Sequence, residues 1–175
     1  MNTIKLYLES IDAAYDTKFS AKVVSIDGNK IGLDRTLFYP IGGGQNWDTG
    51  RIISPNGELQ VSEVRGRNLI EHYVDNDHQL SIGDEVTGEI DWHRRYSHMR
   101  MHTSQHLVSA VVNEIHGSDT VGNQIGGQKS RIDFKPLSVD QPQIDEIQNT
   151  VNEYISENLK IKISEELRED LENNT

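Results

Sequence analysis

Cysteine is missing from this 175-residue sequence. Its absence excludes disulfides and thiolate metal ligands, so within the chain only His, Asp and Glu can hold a metal. There is no run of about 18 apolar residues and no charged-then-apolar leader, so neither a membrane span nor a secretory signal is expected, and a cytoplasmic location is the default. Cations are scarce: 17 Lys and Arg face 28 Asp and Glu, a formal net charge of -11. That balance argues against broad, nonspecific nucleic-acid binding, because neutralising phosphates needs clustered Lys and Arg; a local basic patch stays compatible with it. With 34% hydrophobic and 26% charged residues, the chain suits one large domain or two small ones, each with a modest core.

One change of texture divides the chain. To about residue 90, short apolar segments alternate with turn residues, as in "FSAKVVSIDGNKIGLDRTLFYP", "GRIISPNGELQVSEVRGRNLIEHYV" and "GDEVTGEIDW". Asp27-Gly28 and Asn56-Gly57 sit between such segments and predict hairpins of type I′, whose central positions both need positive φ. Several short strands with regular turns predict a small β-barrel over residues 1–90. The opening "TIKLYLESIDAAYD" reads as a strand running into an irregular segment.

After Asp91 the period becomes helical. A helix is expected from near Arg94, with Leu107, Val108, Val111, Val112 and Ile115 at helical spacing and Gly117 placed to end it. "TVGNQIGG" and "SRIDFK" read as strands. A second helix follows, capped by Ser138 or Asp140 with Pro142 in its first turn and Ile144, Ile147, Val151, Tyr154 and Ile155 on its buried face. "KIKI" predicts another strand and "SEELREDLENN" the start of another helix. The fold class expected is therefore α+β, a small barrel followed by an α+β domain over residues 91–175.

Two stretches carry candidate chemistry. In "RMHTSQHLVSAVV" His102 and His106 stand four residues apart, so on a helix they share a face and can direct nitrogens to one point about 2 Å from each, as zinc requires. The same spacing suits two surface or core histidines. His98 is itself four residues before His102 and is a possible stand-in ligand. Arg94, Arg95 and Arg100 could meet phosphates nearby, or form a solvated basic turn of helix. In "LFYPIGGGQNWDTG" the consecutive Gly42, Gly43 and Gly44 imply a backbone that closely approaches a ligand, a phosphate or another part of the fold. The spacing and the lysine of a phosphate-binding loop are absent.

Together these stretches resemble one family. "FYPIGGGQNWDTG", "IDWHRRYSHMRMHTSQHLVSAVV" and "VGNQIGGQKSRIDF", in this order, look like the AlaX-type alanyl-tRNA editing proteins, which are similar to the editing part of alanyl-tRNA synthetase. The resemblance covers the chain from about residue 20 onward. It implies a translation-protein type of barrel followed by an editing domain. The implied reaction is hydrolysis of the ester joining serine, or glycine, to the tRNA for alanine. Zinc is the implied cofactor, with His102 and His106 as ligands. Excluding alanine by size is impossible, so serine must be recognised through its hydroxyl, for which Gln105, Asn123 and Gln124 are the candidates. Gly42, Gly43, Gly44, Gln45 and Asp48 would lie near the interdomain cleft and help place the acceptor end. Arg131 and Asp133 would brace the site.

The sequence departs from the family pattern at one point. There a Cys-x-x-x-His pair after the last helix completes the metal site, whereas this sequence has no cysteine and runs out at "LREDLENNT". Four arrangements could account for that: a piece of a longer protein, a second chain supplying the missing ligands, a protein that has lost zinc, or a weak metal site of His102, His106, His98 and a carboxylate. Loss of zinc corresponds to an alternative function, a noncatalytic tRNA-binding or assembly subunit.

Overall fold

A computed structural model describes residues 2–75 and 77–160. A short strand β1 (Ile4–Lys5) leads into two 3-10 turns, Leu6–Leu8 and Asp12–Tyr15. Strands β2 (Lys18–Asp27), β3 (Lys30–Leu33), β4 (Arg35–Thr36), β5 (Gly50–Ser54), β6 (Gly57–Arg65), β7 (Glu71–Val74) and β8 (Glu85–Ile90) follow. Six of them close into a barrel in the order β2-β3-β7-β6-β5-β8, while β1 and β4 pair in parallel outside it. The second part comprises helix α1 (Trp92–His116), the ribbon β9 (Asp119–Gln124) and β10 (Arg131–Lys135), and helix α2 (Gln141–Ser156). The α+β class with an N-terminal barrel is the architecture expected.

The barrel follows from alternation. In β2 Phe19, Ala21 and Val23 are buried, while Lys18, Ser20 and Lys22 between them are exposed. In β6 the inward phase runs Leu59, Val61, then Val64, and a bulge between Val61 and Glu63 restores the alternation. Phe19 lies opposite Gly88 on β8, and a Cβ at Gly88 would overlap its ring. Phe38 fills the centre, edge-on to both Phe19 and His72. His72 is fully buried but satisfied: Nδ1–H donates to the Ile31 carbonyl and Nε2 accepts from the Thr36 hydroxyl, each at 2.9 Å.

Both predicted hairpins form, one residue away from where the dipeptides put them. Asp27 pairs with Lys30, so the turn is Gly28-Asn29; Ser54 pairs with Gly57, so the other is Pro55-Asn56. Neither is type I′, because Asn158 is the only non-glycine residue with positive φ among those described. Instead Gly28 takes φ 58° alone, and the Ser54 hydroxyl accepts from Asn56 N at 3.2 Å.

Helix α1 begins two residues before the expected Arg94, because the Asp91 carboxylate caps it by accepting from Arg94 N at 3.1 Å. Gly117 ends it in the left-handed conformation, its N–H bonded to Asn113 O at 2.8 Å. At α2 Asp140, not Ser138, is the cap, in a reciprocal box with Gln143. The face expected to be buried on α2 is not: Ile147, Val151 and Tyr154 are half-buried against α1, and Ile144 and Ile155 are exposed. The strand expected at 160–163 lies, but for Lys160, outside the described residues, as does the helix after it.

Candidate functional site

The glycine-rich turn, α1 and the end of β9 converge. Gly42 and Gln45 exchange backbone hydrogen bonds at 3.1 and 2.9 Å, closing a tight turn in which Gly43 and Gly44 have φ 59° and 77°. The turn docks on the strand end, where Ile125 N donates to Gly44 O at 2.7 Å and Gln45 bridges to Ile125, which is completely buried. A Cβ on Gly44 would occupy the space of the Asn123 amide. Close approach of backbone to side chain, combined with positive φ, explains the glycine there. The surface brought close is the chain's own second part.

Gln45 carries the turn to the histidines. It is buried, and its Oε1 lies 2.8 Å from His102 Nδ1. A carbonyl oxygen can only accept, so the proton sits on Nδ1, and Nε2 keeps its lone pair. The His102 and His106 rings stack at 5.1 Å with 15° between planes, His102 half-buried and His106 exposed. Burial, then the neighbouring His106, hold the His102 imidazolium below the ordinary histidine range.

Gln105 points from the same helix into a polar chain. It is buried; its Nε2 donates to Ser109 Oγ at 2.9 Å, and Asn123 Nδ2 reaches its Oε1 at 3.4 Å. Thr120 Oγ1 donates to Ser109 at 2.7 Å and completes the set. Ser109 and Thr120 were not among the residues expected. Ser109 was open to discovery, four residues beyond Gln105 on one helix face, but Thr120 joins only through the ribbon's packing. Gln124 is exposed on the opposite face of β9 from Asn123, so it is not gathered with them.

The remaining predicted residues separate by burial. Arg95 and Asp48 face each other inside the protein: Arg95 Nε donates to Asp48 Oδ2 at 2.9 Å, and its Nη2 donates to that oxygen and to the Leu37 carbonyl. Arg95 also reaches the Ala14 carbonyl at 3.2 Å and lies over the Tyr7 ring. Asp48 accepts from Tyr39 N at 2.7 Å. This pair bolts α1 to the barrel, and neither side chain is open to a ligand. Arg94 is half-buried and bonds the Trp47 carbonyl at 2.9 Å. Arg100 is exposed. Arg131 pairs with Asp133 at 3.2 Å on the ribbon.

Zinc, implied by the resemblance, asks for three or four ligands. His102, oriented through Nδ1, and His106 suit two of them. His98 does not join: it is buried facing Gly127, its Nδ1 has no partner, and no group of three or more His, Asp or Glu suited to a metal forms among the described residues. Among the described residues, then, His102 and His106 stand together as two of the ligands that the resemblance implies, with no third beside them.

Residues 3–94 match the family described as tRNA synthetases class II (A). The chain is 38% identical over 164 residues to the alanyl-tRNA editing protein AlaX-M of Saccharolobus solfataricus, covering 92% of this chain and 67% of that one. It is 39% identical over 158 residues to the AlaX-M protein of Methanosarcina acetivorans, 85% of this chain and 64% of that one. It is also 36% identical over 165 residues to the alanine–tRNA ligase of Sulfurisphaera tokodaii, 91% of this chain but 18% of the ligase. The chain thus spans about two thirds of the length of the AlaX-M relatives it matches. On these similarities, and on the barrel and histidine-bearing helix they cover, the chain belongs to the family of AlaX-type alanyl-tRNA editing proteins.

Proposed function

We propose that this chain contributes the two-histidine half of a site that hydrolyses the ester of serine, or glycine, on the tRNA for alanine. The observation that carries the reading is the fixed pair: Gln45 holds His102 by Nδ1 and leaves Nε2 beside His106. The two imidazoles would hold zinc, with the other ligands coming from residues outside those described or from a second chain. Held there, zinc would supply Lewis acidity for the ester carbonyl and a source of hydroxide near neutral pH.

The chain's own groups would do the selecting. Both ends of the Gln105 amide are engaged, by Ser109 and Asn123. That leaves Asn123, half-buried and with hydrogen-bonding capacity to spare, for the serine hydroxyl, while Gln105 positions it. A site built around that hydroxyl discriminates against alanine by leaving a polar group unpaired, which size exclusion cannot do. Gly44 lets the turn approach closely enough to hold Asn123 in place.

A second reading, a noncatalytic tRNA-binding or assembly subunit, is favoured by one observation: the described residues offer two ligands only. Release of serine from seryl-tRNA(Ala) by the 175-residue chain, with zinc added or chelated, separates the two. Zinc-dependent release that His102→Ala abolishes supports hydrolysis. Binding of the tRNA with neither release nor any zinc binding that His102→Ala removes supports the subunit.

A further inference from the structure

We propose that the aromatic pair Trp92 and Tyr96 on α1, exposed at its Tyr96 end, is a base-stacking platform for the unpaired 3′ end of an RNA. Trp92 and Tyr96, one helical turn apart, stack at 5.4 Å with 24° between planes. Tyr15 packs behind Trp92 at 5.6 Å, tilted by 48°, and Arg100 stands in front, its guanidinium 5.9 Å from the Tyr96 ring centre. The assembly ends in solvent, with Tyr96 43% exposed. Trp92 is half-buried against Tyr15, and the Trp92–Tyr96 pair is open at its Tyr96 end, where a cation stands over the ring.

Charge favours a nucleic acid as the occupant. The chain carries 28 acidic residues, yet none falls between Asp91 and Glu114; with Arg95 sealed against Asp48, the arginines there that can face a phosphate are exposed Arg100 and half-buried Arg94. A phosphate backbone approaching an otherwise anionic protein meets least repulsion along this helix. Every base has a π-face, and aromatic rings and guanidinium planes are its usual partners in single-stranded recognition. A base between Tyr96 and Arg100 needs about 6.8 Å, two stacking distances of about 3.4 Å. The extra ångström is within one rotamer change of an exposed arginine.

The distance along the helix fits as well. Tyr96, Arg100, Thr103 and His106 are all exposed and lie along one side of α1. From Tyr96 to His106 the axial rise is about 15 Å at about 1.5 Å per residue, the length of roughly four stacked nucleotides. A 3′ end that stacks its base about four nucleotides from the terminus at Tyr96 would deliver its terminal ester to His102 and His106. This last step rests on the hydrolytic reading above; the stacking itself does not.

The test uses two RNA hairpins, one ending in four unpaired 3′ nucleotides and one blunt, titrated by fluorescence anisotropy against the 175-residue chain. The wild type is expected to prefer the tailed hairpin. Tyr96→Ala should weaken that binding about tenfold and leave the blunt hairpin unchanged, with Tyr96→Phe close to wild type. Equal binding of the two hairpins by the wild type, or no effect of Tyr96→Ala, overturns the platform. Tyr96-dependent tail binding with neither release of serine from seryl-tRNA nor zinc binding through His102 would keep the platform and sink the hydrolytic reading. Release with an unchanged KM in Tyr96→Ala would do the reverse.

Discussion

Arg95→Met should unfold the junction between barrel and helix instead of merely weakening a surface contact. Methionine keeps most of the side chain's length and removes its charge. What is left behind is Asp48, fully buried, with Oδ1 already lacking a partner and Oδ2 deprived of its guanidinium. Removing one member of a buried ion pair costs about 3–5 kcal/mol, and the freed carbonyls of Leu37 and Ala14 lose a donor as well. For a chain of this size each kcal/mol shifts Tm by about 2–4 °C, so the expected fall is roughly 6–20 °C. Calorimetry together with urea melts reads it. The double variant Arg95→Met/Asp48→Leu should regain much of the loss, because neither charge is then stranded. A loss below about 1 kcal/mol in the single variant would refute the buried bolt, and would return Arg95 to the surface residues able to meet phosphate.

His72 is held neutral, its pKa lowered from 6.5 to about 4 by burial. Since the unfolded chain binds this proton more readily, stability is full above about pH 6.5 and falls as pH drops toward 4. The loss amounts to about 3 kcal/mol at about 1.4 kcal/mol per unit, measurable as urea midpoints from pH 7 to 4; a flat profile in the wild type would contradict it. Gly44→Ala forces a Cβ into the Asn123 amide at φ 77°, with about 1–2 kcal/mol of backbone strain alone. A displaced Asn123 side-chain resonance in NMR spectra should accompany it, and an unmoved one would argue against the close approach. Gln45→Leu removes the acceptor for His102 Nδ1 and should lower zinc affinity about 10–100-fold by calorimetry. Unchanged affinity would mean that Gln45 does not orient the imidazole.

Much was legible because it depends on local periodicity. The β2 alternation around Phe19, the cap at Asp91 and the stop at Gly117 are properties of a few neighbouring residues, and each could be found from spacing and residue type. The hairpins were found too, but their register was not. Which residues face each other across a turn depends on how whole strands pair, so Gly28-Asn29 and Pro55-Asn56 emerge only in the closed barrel. The α2 stripe was read correctly as apolar and wrongly as buried, because periodicity marks the face that seeks cover without saying that cover is there.

By itself the sequence determined that this is a cysteine-free, anionic α+β chain with a barrel ahead of a helix that pairs His102 with His106, since composition and helical pitch are enough for that. Only the tertiary structure decided which polar residues meet. Arg95 and Arg100 are five residues apart on one helix, yet one is sealed against Asp48 and the other lies open over Tyr96. Gln45 and His102, 57 positions apart, become hydrogen-bond partners because the glycine-rich turn is docked on Ile125. Burial and long-range pairing are sums over distant segments, and no window of sequence contains them.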